Sequence, residues 1–348
     1  MSSNVNKAAW IPAPKATPLE VGPAPMPTPQ GTEVAIQIHS VALNPADPVV
    51  QRLAILLEPK DYPFILGCDM AGTVVAAGPS STFKPGDRVT ALAASWGRKD
   101  PKYGAFQLYA LADTPFLTKI PDNVSFNEGC VLGLGLTTAA YALFNPDTLA
   151  LDLPKPGGNA PNGKIVLVWG GASSVGACGI QAAKAAGYTI ASTASARNFD
   201  LLREMGVEYV FDYSSATVID DIVAALKGKG EMAGIFSAIG KPETLIQCAA
   251  VIQRLEGRQH VATVRPPGFP AVENWPEGVE ISNNASSHMN SEMSGAVWGA
   301  WLEAALRDGS MKCRPKYEVV GKGLEAVQDA MDLMSKGVSA KKLVVEFI

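Results

Sequence analysis

KIVLVWGGASSVGACGIQAAKAAG, residues 164–187, is the stretch on which the reading of this chain turns. Lys164 is followed by five apolar residues, the run of a strand buried on both faces. Two glycines then break it, and a series of small residues leads to Gly187, a common stop for a helix. Gly170 and Gly171 permit a tight turn, and Gly176 lets the helix approach the strand. The start of that helix offers unpaired N–H groups and the positive end of a dipole, which suits a pyrophosphate. Measured against the pattern G-x-G-x-x-G, Ser173 stands at the second glycine. Strand, turn and helix come in the demanded order, so Ala172, Ser173, Ser174, Val175 and Gly176 are read as the phosphate-holding segment of a dinucleotide site. The plainer alternative is a tight strand-to-helix turn with nothing bound.

Downstream, YTIAST (188–193), VEYVFD (207–212), AGIFSAIG (233–240) and RQHVATV (258–264) read as strands, with helical segments between them. Alternation at this spacing implies an α/β fold, a Rossmann doubly wound parallel sheet with helices on both faces. Upstream the texture differs. TEVAIQIHSVAL (32–43) alternates like a half-buried strand, NPADP (44–48) is a turn, and MAGTVVAAG (70–78) and FKPGDRVTAL (83–92) are strand candidates. Residues 11–32 are rich in proline and read as an extended surface segment. A β-rich domain is therefore expected at 1–128 and 308–348, the tail supplying a helix (323–336) and a strand (342–347), and a nucleotide-binding domain at 129–307. FNEGCVLGLGLTTAAYALF (126–144) reads as one helix and 294–309 as another. In the latter, Trp298, Trp301, Leu302, Ala305 and Leu306 recur at helical spacing, for which core packing is preferred over an interface.

Composition narrows the class. The chain has 348 residues, enough for one large or two medium domains, and is 47% hydrophobic and 18% charged, as soluble globular proteins are. The formal charge is -4 with the signs dispersed, so neither nucleic acid nor an anionic membrane is an expected partner. The start of the chain carries no apolar core of a secretory signal, and no run is long enough to span a membrane. The five cysteines (68, 130, 178, 248, 313) are odd in number and far apart, which fits a reducing compartment and a cytoplasmic location. They also lack the close pairs that structural zinc needs, and the three histidines (39, 260, 288) are scattered, so no metal is expected.

The second strand tests which dinucleotide is held. An NAD site usually carries Asp or Glu near the end of this strand for the ribose 2′-OH. Here Ser195, Ala196, Arg197 and Asn198 follow it, with no acid, and Tyr213 ends the third strand. Hydroxyls and a guanidinium suit a 2′-phosphate, so NADPH is preferred over NADH. Taken alone, Arg197 is a solvated surface charge.

With these residues in hand, the chain resembles the medium-chain dehydrogenase/reductase superfamily over nearly its whole length. The likeness is carried by ALNPAD (42–47), PFILGCDMAGTVVAAG (63–78), FKPGDRV (83–89), TTAAYAL (137–143), VLVWGGASSVG (166–176) and VGKGLEAVQDAMDLMSKGVSAKKLVV (320–345). Its zinc-free, quinone-oxidoreductase-like branch is the most similar, and within it the trans-acting enoyl reductases of fungal polyketide pathways. The resemblance implies a GroES-like fold for the β-rich domain. Zinc members have G-H-E where Gly67, Cys68 and Asp69 stand, which implies a packed turn here. The resemblance also implies that Ala46, Asp47, Pro48 and Val49, then Ile239, Lys341 and Lys342, lie along the cofactor. It implies that Gly133, Leu134, Gly135, Leu136 and Thr137, with Ile281, Ser282 and Asn283 of a strand over 281–285, border the substrate. Thr138 matches a hydroxyl often found near the nicotinamide; the bland reading is a helix residue bonded to its own backbone.

One departure matters. Relatives that reduce enoyl groups often carry N-P-x-D-x-K, and here Val49 stands at the lysine. Conjugate reduction needs a hydride at the β-carbon, a proton at the α-carbon and a donor for the enolate oxygen. The resemblance implies an NADPH-dependent, zinc-independent reductase of an activated C=C bond in a small-molecule or carrier-bound acyl substrate, with a polyketide synthase as a partner and a monomer or homodimer as the assembly. Val49 keeps a redox-neutral isomerase or cyclase open, and an accessory binding protein is the third class.

Overall fold

The computed structural model describes residues 5–284 and 291–348. It divides into two units, residues 1–134 with 313–348, and residues 135–312. In the first unit β1 (Lys7–Ile11) pairs antiparallel with β2 (Glu20–Pro23) and β4 (Phe64–Ile65). A second sheet is built on β3 (Val34–Ala42), which pairs antiparallel with β5 (Asp69–Ala77) and β7 (Tyr109–Ala112). It continues through β6 (Arg88–Leu92) to β8 (Leu117–Lys119). The proline-rich segment thus forms a paired strand, a point at which composition pointed only to extended chain. Short helices α1 (Ala46–Leu53), α2 (Ser95–Arg98) and α3 (Phe126–Gly129) join these strands.

The expected helix over 126–144 is two helices, α3 and α4 (Gly133–Phe144). The break has a local cause. Asp69 Oδ1 accepts the Leu134 amide at 2.6 Å, and a Cβ at Gly133 would lie 2.4 Å from the same oxygen. A buried carboxylate therefore caps the start of α4 and takes the place of the preceding turn.

The second unit is a sheet of β9 (Lys164–Trp169), β10 (Thr189–Ala194), β11 (Tyr209–Asp212), β12 (Glu231–Ser237), β13 (His260–Thr263) and β14 (Glu280–Ser282). Every pairing is parallel, in the order β11-β10-β9-β12-β13-β14. Between the strands run α5 (Ser174–Ala185), α6 (Phe199–Glu204), α7 (Val218–Leu226) and α8 (Pro242–Ile252). Counted within the unit, the order is 3-2-1-4-5-6, the Rossmann arrangement, whose crevice opens at the carboxyl ends of β9 and β12, where the order reverses. Its core holds Leu167, Ile222, Ile235, Leu245 and Val261, all fully buried.

The segment expected to be one helix over 294–309 is α9 (Ser291–Ser294), a π-helical stretch Gly295–Trp301 and α10 (Leu302–Asp308), ended by Gly309. Trp298, Trp301, Leu302, Ala305 and Leu306 are all buried, which makes them core. The expected strand over 281–285 ends at Ser282; Ala285 and His288 lie outside the described residues. The chain ends in the first unit with β15 (Tyr317–Lys322), α11 (Val327–Ser335) and β16 (Lys342–Glu346), β16 pairing with β3. Among the described residues no helix is long and apolar enough to cross a membrane.

Candidate functional site

The turn after β9 is shaped for close approach. Gly170 has φ +86°, a left-handed conformation costly to other residues. A Cβ at Gly171 would lie 2.1 Å from Ser192 Oγ, and one at Gly176 would lie 2.3 Å from the Gly170 carbonyl. Ser173 caps α5: its hydroxyl accepts the Gly176 amide at 3.0 Å and donates to the Gly170 carbonyl at 2.8 Å. The amides of Ser174 and Val175 lie in the first turn, where a helix has no upstream acceptor. Ala172 is buried, while Ser173, Ser174 and Val175 are half-buried. Among the described residues the buried Ser174 hydroxyl oxygen has no hydrogen-bond partner, and a Cβ at Gly135 would lie 2.8 Å from it. The start of α5 thus meets Gly135 on α4. An oxyanion laid on this helix end would find amide donors, so the residues fit a pyrophosphate.

At the end of β10, Asn198 donates to the Ser195 hydroxyl at 3.1 Å, and its amide bonds the Ser195 carbonyl. Ala196 and Arg197 are exposed, and Tyr213 is exposed at the same edge, its amide on the Ala194 carbonyl. The sequence reading missed Asp212, which β11 carries into register with Ala194. Hydrogen bonds from the Ser214 hydroxyl and amide, and from the Ala196 amide, hold its carboxyl below the usual carboxylate range. The signal was present, but on the third strand rather than the second.

Across the switch point, Ile239 covers Gly170, a Cβ there lying 2.6 Å from Ile239 Cγ1. Beyond it, Leu136 and Thr137 are buried, and Thr138 is half-buried with its carbonyl accepting the Asn284 side-chain amide at 2.8 Å. Ile281 and Asn283 are exposed, while the Ser282 hydroxyl lies 2.9 Å from His260 Nε2. Burial, followed by the Arg258 charge, lowers the His260 pKa despite Glu280 Oε2 at 2.9 Å from Nδ1. Asn284 and Arg265 escaped the sequence reading, because nothing near them in sequence marks them. A cavity of about 300 Å³ lies at the opposite edge of the sheet, beside Lys164, Glu231 and Arg258. It is at the amino ends of the strands, and Arg258 is committed there to the Thr148 and Leu149 carbonyls, so the crevice at the carboxyl ends is the better site.

In the first unit the residues expected along the cofactor are partly enclosed. Val49 and Lys341 are exposed, Lys341 pairing with Glu318, and Ala46 is half-buried. Pro48 and Asp47 are buried. Asp47 Oδ2 accepts the Asn44 amide at 2.7 Å, and Oδ1 has no partner. Burial, with the Asp69 charge nearby, raises the Asp47 carboxyl to about 7 against the opposing pull of Lys342. Lys342 is buried too, its ammonium 2.8 Å from Asp69 Oδ2 and donating to Asn44 Oδ1 at 2.6 Å. Asp69 Oδ2 has the charge contact without an aligned hydrogen bond, so this is an ion pair held by position. Cys68 is buried, and burial followed by the Asp47 and Asp69 charges pushes its thiol far up, away from the thiolate that metals bind. Among the described residues no three His, Cys, Asp or Glu side chains are grouped to hold a metal. The donor set here does not fit zinc.

A Rossmann unit with a glycine turn at its switch point, in one chain with an antiparallel β-rich unit, is the architecture of two-domain dehydrogenases and reductases. Comparison with known proteins agrees. Residues 30–122 match the alcohol dehydrogenase GroES-like domain, and residues 174–274 match the zinc-binding dehydrogenase family. The chain is 36% identical to dehydrogenase pigH of Monascus ruber, covering 98% of this chain and 99% of that one. It is 35% identical to the trans-enoyl reductase himH of Aspergillus japonicus, covering 99% and 98%. An alcohol dehydrogenase superfamily protein of Novosphingobium aromaticivorans shares the fold at a TM-score of 0.77 and 21% identity, covering 99% of this chain and 100% of that one. The chain belongs to the medium-chain dehydrogenase/reductase superfamily.

Proposed function

We propose that the chain is an NADPH-dependent, zinc-independent reductase of an activated C=C bond in a polyketide-type acyl substrate, small or carrier-bound. The observation that carries this reading is the capped α5 terminus at the switch point of the sheet. The names of relatives support it, among them trans-enoyl reductases. When bound, the nicotinamide supplies a hydride to the β-carbon. The remaining work falls to this chain. The amides of Ser174 and Val175, with the dipole of α5, would hold the pyrophosphate; Ser195, Arg197, Asn198 and Tyr213 would take the 2′-phosphate. Asp212 lies at the same edge, its carboxyl accepting from Ser214 and Ala196. Thr138 would polarise the substrate carbonyl, beside a face formed by the start of α4 and residues 281–283. A cytoplasmic location and recruitment by a polyketide synthase belong to the same reading. The test is stopped-flow oxidation of NADPH with an enoyl thioester: loss of nicotinamide absorbance and a product heavier by one H2 are expected. Absence of NADPH binding by calorimetry would remove the reading.

A second reading rests on Val49, whose exposed side chain cannot deliver a proton. It makes the protein a redox-neutral isomerase or cyclase of a polyene intermediate. A product of unchanged mass with no NADPH consumed would decide for it.

A further inference from the structure

Arg265 lies two residues past the end of β13, at the carboxyl edge of the sheet. It is 7% exposed, a burial that charged residues rarely reach without a partner. Among the described residues no carboxylate forms an ion pair with it. Its guanidinium donates one hydrogen bond, from Nη2 to the Pro270 carbonyl at 2.7 Å, and Nε has no acceptor. The Phe269 ring lies 5.5 Å away, a weak contact for a full charge. A buried cation in this condition carries a desolvation cost that one carbonyl does not offset.

Its position ties it to the crevice. A Cβ at Gly240 would lie 2.8 Å from Arg265 Cγ, and Gly240 follows Ile239, the residue that covers Gly170. The Arg265 carbonyl accepts the Asn284 amide at 2.7 Å, and the Asn284 side chain donates to the Thr138 carbonyl. Arg265 therefore sits two residues removed from the nucleotide turn, through Gly240 and Ile239, and one residue removed from the helix bearing Thr138, through Asn284. In the Rossmann order, β12 and β13 belong to the half opposite the adenosine side. Arg197 and Tyr213 lie on the adenosine side, so the two guanidinium groups address different ends of the crevice.

We propose that Arg265 is a carboxylate-binding residue of the substrate site, and that the natural substrate carries an acid group near its activated double bond. This deepens the proposed function by naming a substrate class, and it rests on that reading for the place of the reacting carbons. A permanent carboxylate fits better than a charge that develops only during reaction, because the cation is already buried in the resting protein. The planar fork of Arg takes a carboxylate in two parallel bonds.

Calorimetry with crotonate and its uncharged counterpart crotonamide tests this, with NADP+ present and absent. The wild-type protein is expected to bind crotonate about 10- to 100-fold tighter than crotonamide. Arg265→Gln is expected to bind the two equally, and Arg265→Lys to keep part of the preference. Equal binding by the wild type, or a preference that survives in Arg265→Gln, overturns the proposal. So does loss of NADP+ affinity in Arg265→Gln with the crotonate preference intact, which would assign the guanidinium to the nucleotide. If circular dichroism shows that Arg265→Gln does not fold, Arg265→Lys decides: selective weakening of crotonate supports the site, and equal weakening of both ligands sinks it. Crotonate preference without any nucleotide binding would remove the proposed function and leave the Arg265 site standing.

Discussion

Asp47 and Lys342 lie in one buried cluster and are satisfied unequally. Asp69 and Asn44 give the Lys342 ammonium an ion pair and an acceptor. Asp47 has one amide for one oxygen and nothing for the other, so burial favours its proton and the carboxyl rises to about 7. Between the ordinary carboxylate range and that value, the folded protein holds a proton that the unfolded chain has released. Stability therefore falls as pH rises through this window, by roughly 4 kcal/mol in all if this group acts alone. Asp47→Asn removes the ionisation. Relative to wild type, its urea midpoint should improve from pH 5 to about pH 7 and level off above it, and a constant difference would show that Asp47 is ionised throughout. Lys342→Met leaves Asp69 buried without its cation and should cost about 3–5 kcal/mol by denaturant unfolding. A loss below about 1 kcal/mol would mean that water reaches the Asp69 carboxylate in a way the 0% exposure denies.

At the scale of the element, α5 matters through its first turn. Ser173→Ala removes the cap and should cost about 1 kcal/mol in stability. Gly171→Ala acts differently, because its Cβ must enter the space of Ser192 Oγ, which is itself bonded to the Val168 carbonyl at 2.7 Å. The turn must shift, and NADPH affinity by calorimetry is expected to fall at least about tenfold, the loss of one well-placed contact. Unchanged affinity would place the pyrophosphate elsewhere. The two helices over 126–144 teach the same lesson from the other side. Periodicity ran through residues 130–132, and only the Asp69 carboxylate, far upstream in sequence, shows why α4 starts at Gly133. The π-helical stretch 295–301 keeps both Trp298 and Trp301 in the core.

For the molecule as a whole, each unit has its own buried core, and the proposed cofactor contacts at the glycine turn belong to residues 135–312. A ligand bound only by the folded state stabilises in proportion to its excess over Kd. NADPH at 100 times its Kd should therefore add about 2.7 kcal/mol and raise Tm by about 2–4 °C, with NADH at the same concentration giving less. Prolonged chelation should leave the melting curve and NADPH affinity unchanged, because the Cys68 environment disfavours a metal-binding thiolate. A drop in either after chelation would overturn the zinc-independent reading.

What the order of residues settles is local: the apolar run of β9, the glycine turn and the strand–helix alternation of the second unit. These depend on neighbours within a few residues, where backbone geometry and hydrogen bonding leave a direct mark on residue choice. It also held the hint that Gly67-Cys68-Asp69 is a packed turn, though not what packs there. The rest was settled by how the chain closes on itself. It set the strand order that puts β9 beside β12, brought Lys342 to Asn44 across 298 positions, and placed Asn284 on Thr138 across 146. It buried Arg265 with no counter-charge among the described residues. Such partners are chosen by the closure of the chain in space, and a side chain's charge state follows from how much water and which opposite charges that closure leaves around it.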